Sequence, residues 1–193
     1  NLIHRFPNLG CGRAHMDFAQ EIIENGINLI KNLKSEKIKV FYKPHSPYTM
    51  FFLKEYHNTL KKIGAEFFEI IGSNQRGLSG DITRECPIIL WDQIGTGAIE
   101  CFTSGRPCLI YWKRIYSKEA SHSEKDIKKL QDVGILHDDI DTLISEINYF
   151  FSFPKKWMNC EERKKSIRNF CSKYGKVDTN WSNIWKKKIN SLN

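Results

Sequence analysis

Apolar residues recur along the first 150 or so positions at two spacings that alternate. Residues 13–34 carry Met16, Phe18, Ala19, Ile22, Ile23, Ile27, Leu29, Ile30 and Leu33 at close to helical spacing, which predicts a helix. Residues 38–42 read as a short strand that ends at Lys43-Pro44-His45-Ser46-Pro47, because proline cannot donate to a central ladder. A helix over 48–63, stopped by Gly64, and a strand over 66–71 come next. A polar, glycine-rich connection fills 72–85.

The most informative stretch follows. Pro87-Ile88-Ile89-Leu90-Trp91 is a continuous apolar run, and a second, Cys108-Leu109-Ile110-Tyr111-Trp112, lies beyond Gly105-Arg106-Pro107. Between them, residues 92–100 read as a glycine-bearing turn and a short helix. Runs of this kind suit strands covered on both faces, and a helix joining two of them is the unit of a parallel sheet. A loop over 113–122, a helix over 123–131 with Ser123 or His122 near its N-cap, and a strand over 133–136 continue the alternation. Asp138-Asp139 caps a helix over 138–151, Phe153-Pro154 breaks it, and helices over 161–174 and 179–189 close the chain. Trp157, Phe170, Trp181 and Trp185 are the expected packing anchors of this end. The pattern predicts an α/β fold, a Rossmann-like open parallel sheet with helices on both faces plus C-terminal helices. Residues 1–152 form the sheet domain and residues 153–193 a basic helical extension packed on it.

Composition narrows the class. With 193 residues, 40% of them hydrophobic and 12% aromatic, the chain supports one domain with a real core. No window holds the roughly 18 apolar residues of a spanning helix. The chain opens on Asn1 with no charged-then-apolar leader, and we expect a piece whose N-terminal part lies elsewhere. Six scattered cysteines, with no C-x-x-C pair, fit a reducing, cytoplasmic setting, and Cys86, Cys101 and Cys108 read as core filler.

The formal net charge of +8 resides entirely in residues 155–193, which hold eleven Lys or Arg against three Asp or Glu. Such a tail either contacts an anionic surface, inner-leaflet lipid or a polyanionic acceptor, or simply keeps a helix face wet. No recognised reader motif accompanies it and its aromatics fit helix packing better, so no nucleic-acid partner is expected.

In parallel sheets ligands sit beyond the carboxyl ends of the strands. Gly95, Thr96 and Gly97 fall there, at a helix N-terminus whose dipole favours phosphate; alternatively the glycines only shape a tight turn that Thr96 caps. Neither the dinucleotide fingerprint nor the Walker motif is complete. Lys43 and His45 stand at another strand end on the same rim, able to meet phosphate or to form a charged strand exit. Glu100, one turn beyond Thr96, could accept hydrogen bonds from a vicinal diol such as a ribose, or be a surface carboxylate. Asp92 is a base, a hydrogen-bond organiser or a turn residue. Arg106 meets a ligand or an acidic neighbour, and Arg5 and Arg13 flank the glycines at the first strand exit. No metal-binding arrangement is present.

The order Lys43-Pro44-His45, Asp92-x-x-Gly-Thr-Gly-Ala-Ile-Glu100 and Ser104-Gly105-Arg106-Pro107 resembles the nucleotide-sugar-binding C-terminal half of GT-B glycosyltransferases. The later Gly134-Ile135-Leu136-His137, Trp157, Phe170-Cys171-x-x-Tyr174 and Trp181 look like the end of transferases from bacterial O-antigen and capsule gene regions. The resemblance implies a donor, CMP- or UDP-linked, held by the helix beginning near Gly95. Glu100 would sit on the ribose and Lys43 with His45 near the phosphates, with no further cofactor. Sialyl- and Kdo-transferases of this type use a His-Pro pair, whereas here His45 precedes Ser46 and Pro47 comes one place later. The implied acceptor is a glycan or lipid-linked glycan. It would be bound, often with the catalytic base, by an N-terminal domain of the same protein. Transfer would be metal-independent and the site cytoplasmic, with the basic tail touching an anionic membrane. Two other readings stand beside this one: a non-catalytic membrane- or partner-docking module, and another GT-B-like enzyme such as a sugar-nucleotide epimerase or polyol-phosphate transferase.

Overall fold

The computed structural model describes residues 2–4, 16–44, 50–51, 53–71, 85–114 and 120–191. Among the described residues six strands pair in parallel: β1 (Leu2–His4), β2 (Val40–Tyr42), β3 (Phe68–Ile70), β4 (Ile88–Trp91), β5 (Cys108–Tyr111) and β6 (Leu136–His137). Their spatial order is β3-β2-β1-β4-β5-β6. This is the doubly wound order, in which the chain leaves β1 in one direction, returns, and leaves in the other. All four residues of β4 are buried, as a strand covered on both faces requires.

The helices whose bounds lie within the described residues are α1 (Met16–Ser35), α2 (Lys54–Gly64), α3 (Thr96–Thr103), α4 (Glu124–Asp132), α5 (Ile140–Ser152), α6 (Pro154–Met158), α7 (Glu161–Tyr174) and α8 (Trp181–Asn190). In α1, Ile22, Leu29, Ile30 and Leu33 are buried at the spacing of a single stripe. Helix α1 packs against α2 and α5, while α7 packs against α3 and α4. A Cβ on Gly64 would overlap Phe68, so this glycine sets how closely α2 approaches β3.

Two helix ends share one device. After α3, Arg106 N donates to Cys101 O at 2.9 Å and Gly105 N to Phe102 O at 3.3 Å; after α4, Ile135 N donates to Leu130 O at 2.9 Å and Gly134 N to Gln131 O at 3.0 Å. Both are Schellman closures, and both glycines lie in the left-handed region, at φ 69° and 70°. The second corrects the predicted strand over 133–136. Residues 133–135 finish α4, and β6 is confined to Leu136–His137.

Other boundaries move as well. The strand expected over 66–71 gives up its start to a 3-10 turn at Ala65–Phe67, and another turn, Ser121–Ser123, precedes α4. Ser123 holds the N-cap position of α4 without capping it; its hydroxyl donates to Ala120 O instead. Asp139 does cap α5, accepting from Thr142 N at 2.9 Å. Pro154 occupies the first turn of α6, where its missing N–H costs nothing.

Trp157 and Phe170 are buried anchors, at 3% and 4% exposure, and Phe102 meets Phe170 edge-on with centroids 5.8 Å apart. Trp181 and Trp185 are not anchors. They are 65% and 61% exposed, and α8 buries no residue. The expectation failed because amphipathic spacing shows that a helix has an apolar face but not what covers it. Cys86, Cys101 and Cys108 are buried free thiols, the filler expected of them. Among the described residues no helix is long and apolar enough to cross a membrane.

Candidate functional site

The strand order fixes where a crevice opens. β1 lies between β2 and β4, with His4 in register with Tyr42 on one side and Leu90 on the other. The chain reverses direction across the sheet at this point, the switch point of a doubly wound sheet. Beyond the carboxyl ends stand Lys43 and Pro44 from β2, and Asp92, Gln93, Ile94 and Gly95 leading from β4 into α3. Two strand spacings, about 10 Å, separate the two exits.

Gly95 is the N-cap of α3, in extended conformation, and its carbonyl accepts the first helical bond from Ile99 N at 3.1 Å. Thr96, the alternative cap, is the first helical residue, and no side chain caps α3. A helix start without a side-chain cap directs its first N–H groups outward. The two glycines differ. A Cβ on Gly97 would overlap the indole of Trp91, so this glycine lets the 4%-exposed Trp91 ring lie under the first turn of α3. A Cβ on Gly95 would meet nothing within 4 Å, and this side of the helix start is open.

Lys43 is buried at 2% exposure, and its Nζ donates to Pro44 O at 3.2 Å. Behind it, the buried Tyr42 hydroxyl lies 3.2 Å from His57 Nε2 of α2. Burial chiefly, and then the charge of Asp92, hold the Tyr42 phenol well above its ordinary value. Asp92, at the exit of β4, is half-buried. Sequence reasoning missed His57; its signal was a place beside Tyr56 and before Leu60 on the buried stripe of α2.

Thr96 and Glu100 are exposed one turn apart on α3. Arg106 is half-buried in the loop entering β5, at the opposite end of the sheet from the crevice, so it does not join the other candidates. His45, Arg5, Arg13 and the connection over 72–84 lie outside the described residues. On the far side of β4, the carboxyl end of β5 is polar too: Tyr111 Oη accepts from Asn25 Nδ2 at 2.7 Å, and Lys113 pairs with Glu21 at 2.6 Å. Among the described residues no group of three or more His, Cys, Asp or Glu is arranged to hold a metal ion.

A doubly wound parallel sheet with an open helix start at its switch point defines a Rossmann-like domain. The fold is similar to the 1.35 Å crystal structure of the C-terminal domain of a glycosyl transferase group 1 family protein, LpcC, from Francisella tularensis. That match has a TM-score of 0.54 at 17% identity and covers 92% of this chain and 87% of that one. The model of the LIC12162 family transferases matches residues 4–189, and the chain belongs to that family. No curated protein sequence matches it significantly.

Proposed function

We propose that this chain is the donor-binding domain of a glycosyltransferase that builds a bacterial surface polysaccharide, an O-antigen or capsule. The observation that carries the reading is the β1/β4 switch point, where Gly95 leaves the start of α3 open beside Asp92, two strands from Lys43. Membership of a transferase family and the GT-B C-terminal fold support it. In this reading the first N–H groups of α3 hold the donor phosphates of a nucleotide-sugar, CMP- or UDP-linked, and Lys43 and His45 add positive charge. Glu100 takes the ribose, and Asp92 orients the polar groups at the exit of β4. The acceptor is a glycan or lipid-linked glycan, and a facing N-terminal domain of the same protein brings it with the catalytic base.

The leaving nucleotide gains negative charge as the glycosidic bond breaks, and a helix N-terminus with lysine can stabilise that charge without a divalent ion. Transfer is therefore metal-independent, and activity persists in excess chelator. Calorimetry of the folded chain against CMP, UDP, GDP and CDP tests the donor site; no binding to any of the four removes the reading. Product analysis separates transfer from epimerisation and from polyol-phosphate transfer.

A second role has its own observation. Trp181, Ile184, Trp185 and Ile189 follow the i, i+3, i+4, i+8 spacing of one helix face and are 44–65% exposed, with Lys186, Lys187 and Lys188 also exposed. Tryptophans beside lysines on an uncovered amphipathic helix suit the surface of an anionic membrane. Reversing the three lysine charges abolishes sedimentation with phosphatidylglycerol vesicles if α8 docks there, and unchanged sedimentation rejects the role.

A further inference from the structure

A cavity of about 220 Å³ lies at the opposite end of the sheet from the crevice, between the loop entering β5 and helices α6 and α7. Phe102 and Trp157, both buried, and Ile167 line it with apolar surface, while the more exposed Met158, Lys164 and Arg168 line it on the solvent side. Its volume is below the roughly 300 Å³ at which drug-sized pockets begin, which restricts an occupant to one short chain or one ring.

The charges around it do not balance. Arg163, which also lines the cavity, is neutralised internally by Glu146 at 2.6 Å. Lys164 and Arg168 instead share a single carboxylate, Glu161, at 3.0 and 3.9 Å. Both cations keep much of their side chain in solvent, at 39% and 64% exposure, so they can turn toward a ligand without leaving a buried charge behind. A cationic ligand is repelled here, and a neutral one leaves the excess charge unused.

We propose that this cavity binds a single-chain amphiphilic anion from solution, with its apolar body against Phe102, Trp157 and Ile167 and its carboxylate or phosphate at Lys164 and Arg168. The site is separate from the donor crevice, and the proposal stands whether or not the chain binds a nucleotide-sugar. It gives the fold a second ligand, one that touches α3 through Phe102 at the end away from Gly95.

The chain has three methionines, Met16, Met50 and Met158, so methyl-labelled methionine places one reporter in the cavity lining and two elsewhere. Octyl phosphate, titrated below its micellar concentration, is expected to shift the Met158 methyl saturably and leave the other two unmoved. Inorganic phosphate and octanol, each lacking half of the recognised chemistry, should bind at least about tenfold more weakly. The double variant Lys164→Glu/Arg168→Glu should weaken octyl phosphate roughly tenfold or more while octanol is unaffected. A thermal unfolding curve matching the parent shows that this variant is folded; Lys164→Gln/Arg168→Gln replaces it if it is not. No saturable shift at millimolar octyl phosphate, octanol binding as tightly, or unchanged affinity in the folded variant overturns the proposal. A response to phosphatidylglycerol vesicles with none to the monomer overturns the assignment to a soluble ligand.

Discussion

Arg163 donates from Nη2 to Glu146 Oε1 at 2.6 Å and so ties α7 to α5. The same oxygen accepts from Trp157 Nε1 at 2.6 Å, and the guanidinium lies 4.2 Å from the Trp157 ring. Arg163 also donates from Nε to Val133 O at 3.1 Å and from Nη1 to Trp157 O at 3.0 Å. Four elements therefore meet on one ion pair whose arginine is buried and whose carboxylate is partly so. Removing the carboxylate would strand a buried charge, and Glu146→Ala is expected to cost about 3–5 kcal/mol in urea unfolding. The double variant Glu146→Leu/Arg163→Met should recover most of that loss, since neither charge is then left alone. A single-variant cost below about 1 kcal/mol would mean that α7 is held by other contacts.

The two glycines at the start of α3 separate stability from binding. Gly97→Ala forces a methyl into the Trp91 ring and should destabilise by about 1–3 kcal/mol. Gly95→Ala places its methyl in open space on an extended backbone, so its unfolding midpoint should move by less than about 0.5 kcal/mol. If the donor phosphate approaches the helix start, Gly95→Ala nonetheless weakens nucleotide binding, as calorimetry would read. Equal effects of the two substitutions on stability would contradict the packing described here.

The parts of the fold legible in the sequence were those whose cause is local. The strands β4 and β5 could be read because continuous apolar runs are bounded by Gly95, Gly105 and Pro107, and the cap of α5 because Asp139 precedes it. β6 was misplaced because Gly134 could belong to a turn before a strand or to the close of a helix, and only the bonds to Leu130 and Gln131 decide. The candidate site was half legible. Lys43 and Asp92 could be assigned to the same rim, but that they flank β1 depends on the strand order, a long-range property. His57 was hidden because it reaches Tyr42 from a different element, and the bare face of α8 because exposure is set by what packs and not by periodicity.

Two buried histidines make stability depend on pH. Burial, and then the charge of Lys61, depress the pKa of His57 against an opposing backbone bond from Met50; burial likewise depresses that of His137, which bonds Thr142 Oγ1 and Gly134 O at 3.2 Å. A histidine with a lowered native pKa stays neutral in the fold while the unfolded chain takes up a proton near pH 6.5. Its contribution is complete above about pH 6.5 and is lost as pH falls from there to the native value. The urea midpoint should accordingly decline between pH 7.5 and 5, and the ring protons of both histidines should titrate below the free value. A flat midpoint over that range would show that both rings protonate without cost.

The five tryptophans should divide by element. Trp157, 3% exposed and bonded to Glu146, is expected to cost about 3–5 kcal/mol when changed to alanine, because it leaves both a cavity and an unpaired carboxylate lone pair. Trp181→Ser and Trp185→Ser lie on a face that is 61–65% exposed at these two rings, and each should change stability by less than about 0.5 kcal/mol. On phosphatidylglycerol vesicles the order reverses if α8 docks there. The two serine variants then lose the salt-resistant part of binding, since raised ionic strength screens the lysines but not an inserted indole. A loss of several kcal/mol in Trp181→Ser would place that ring in the core and remove the basis for a docking helix.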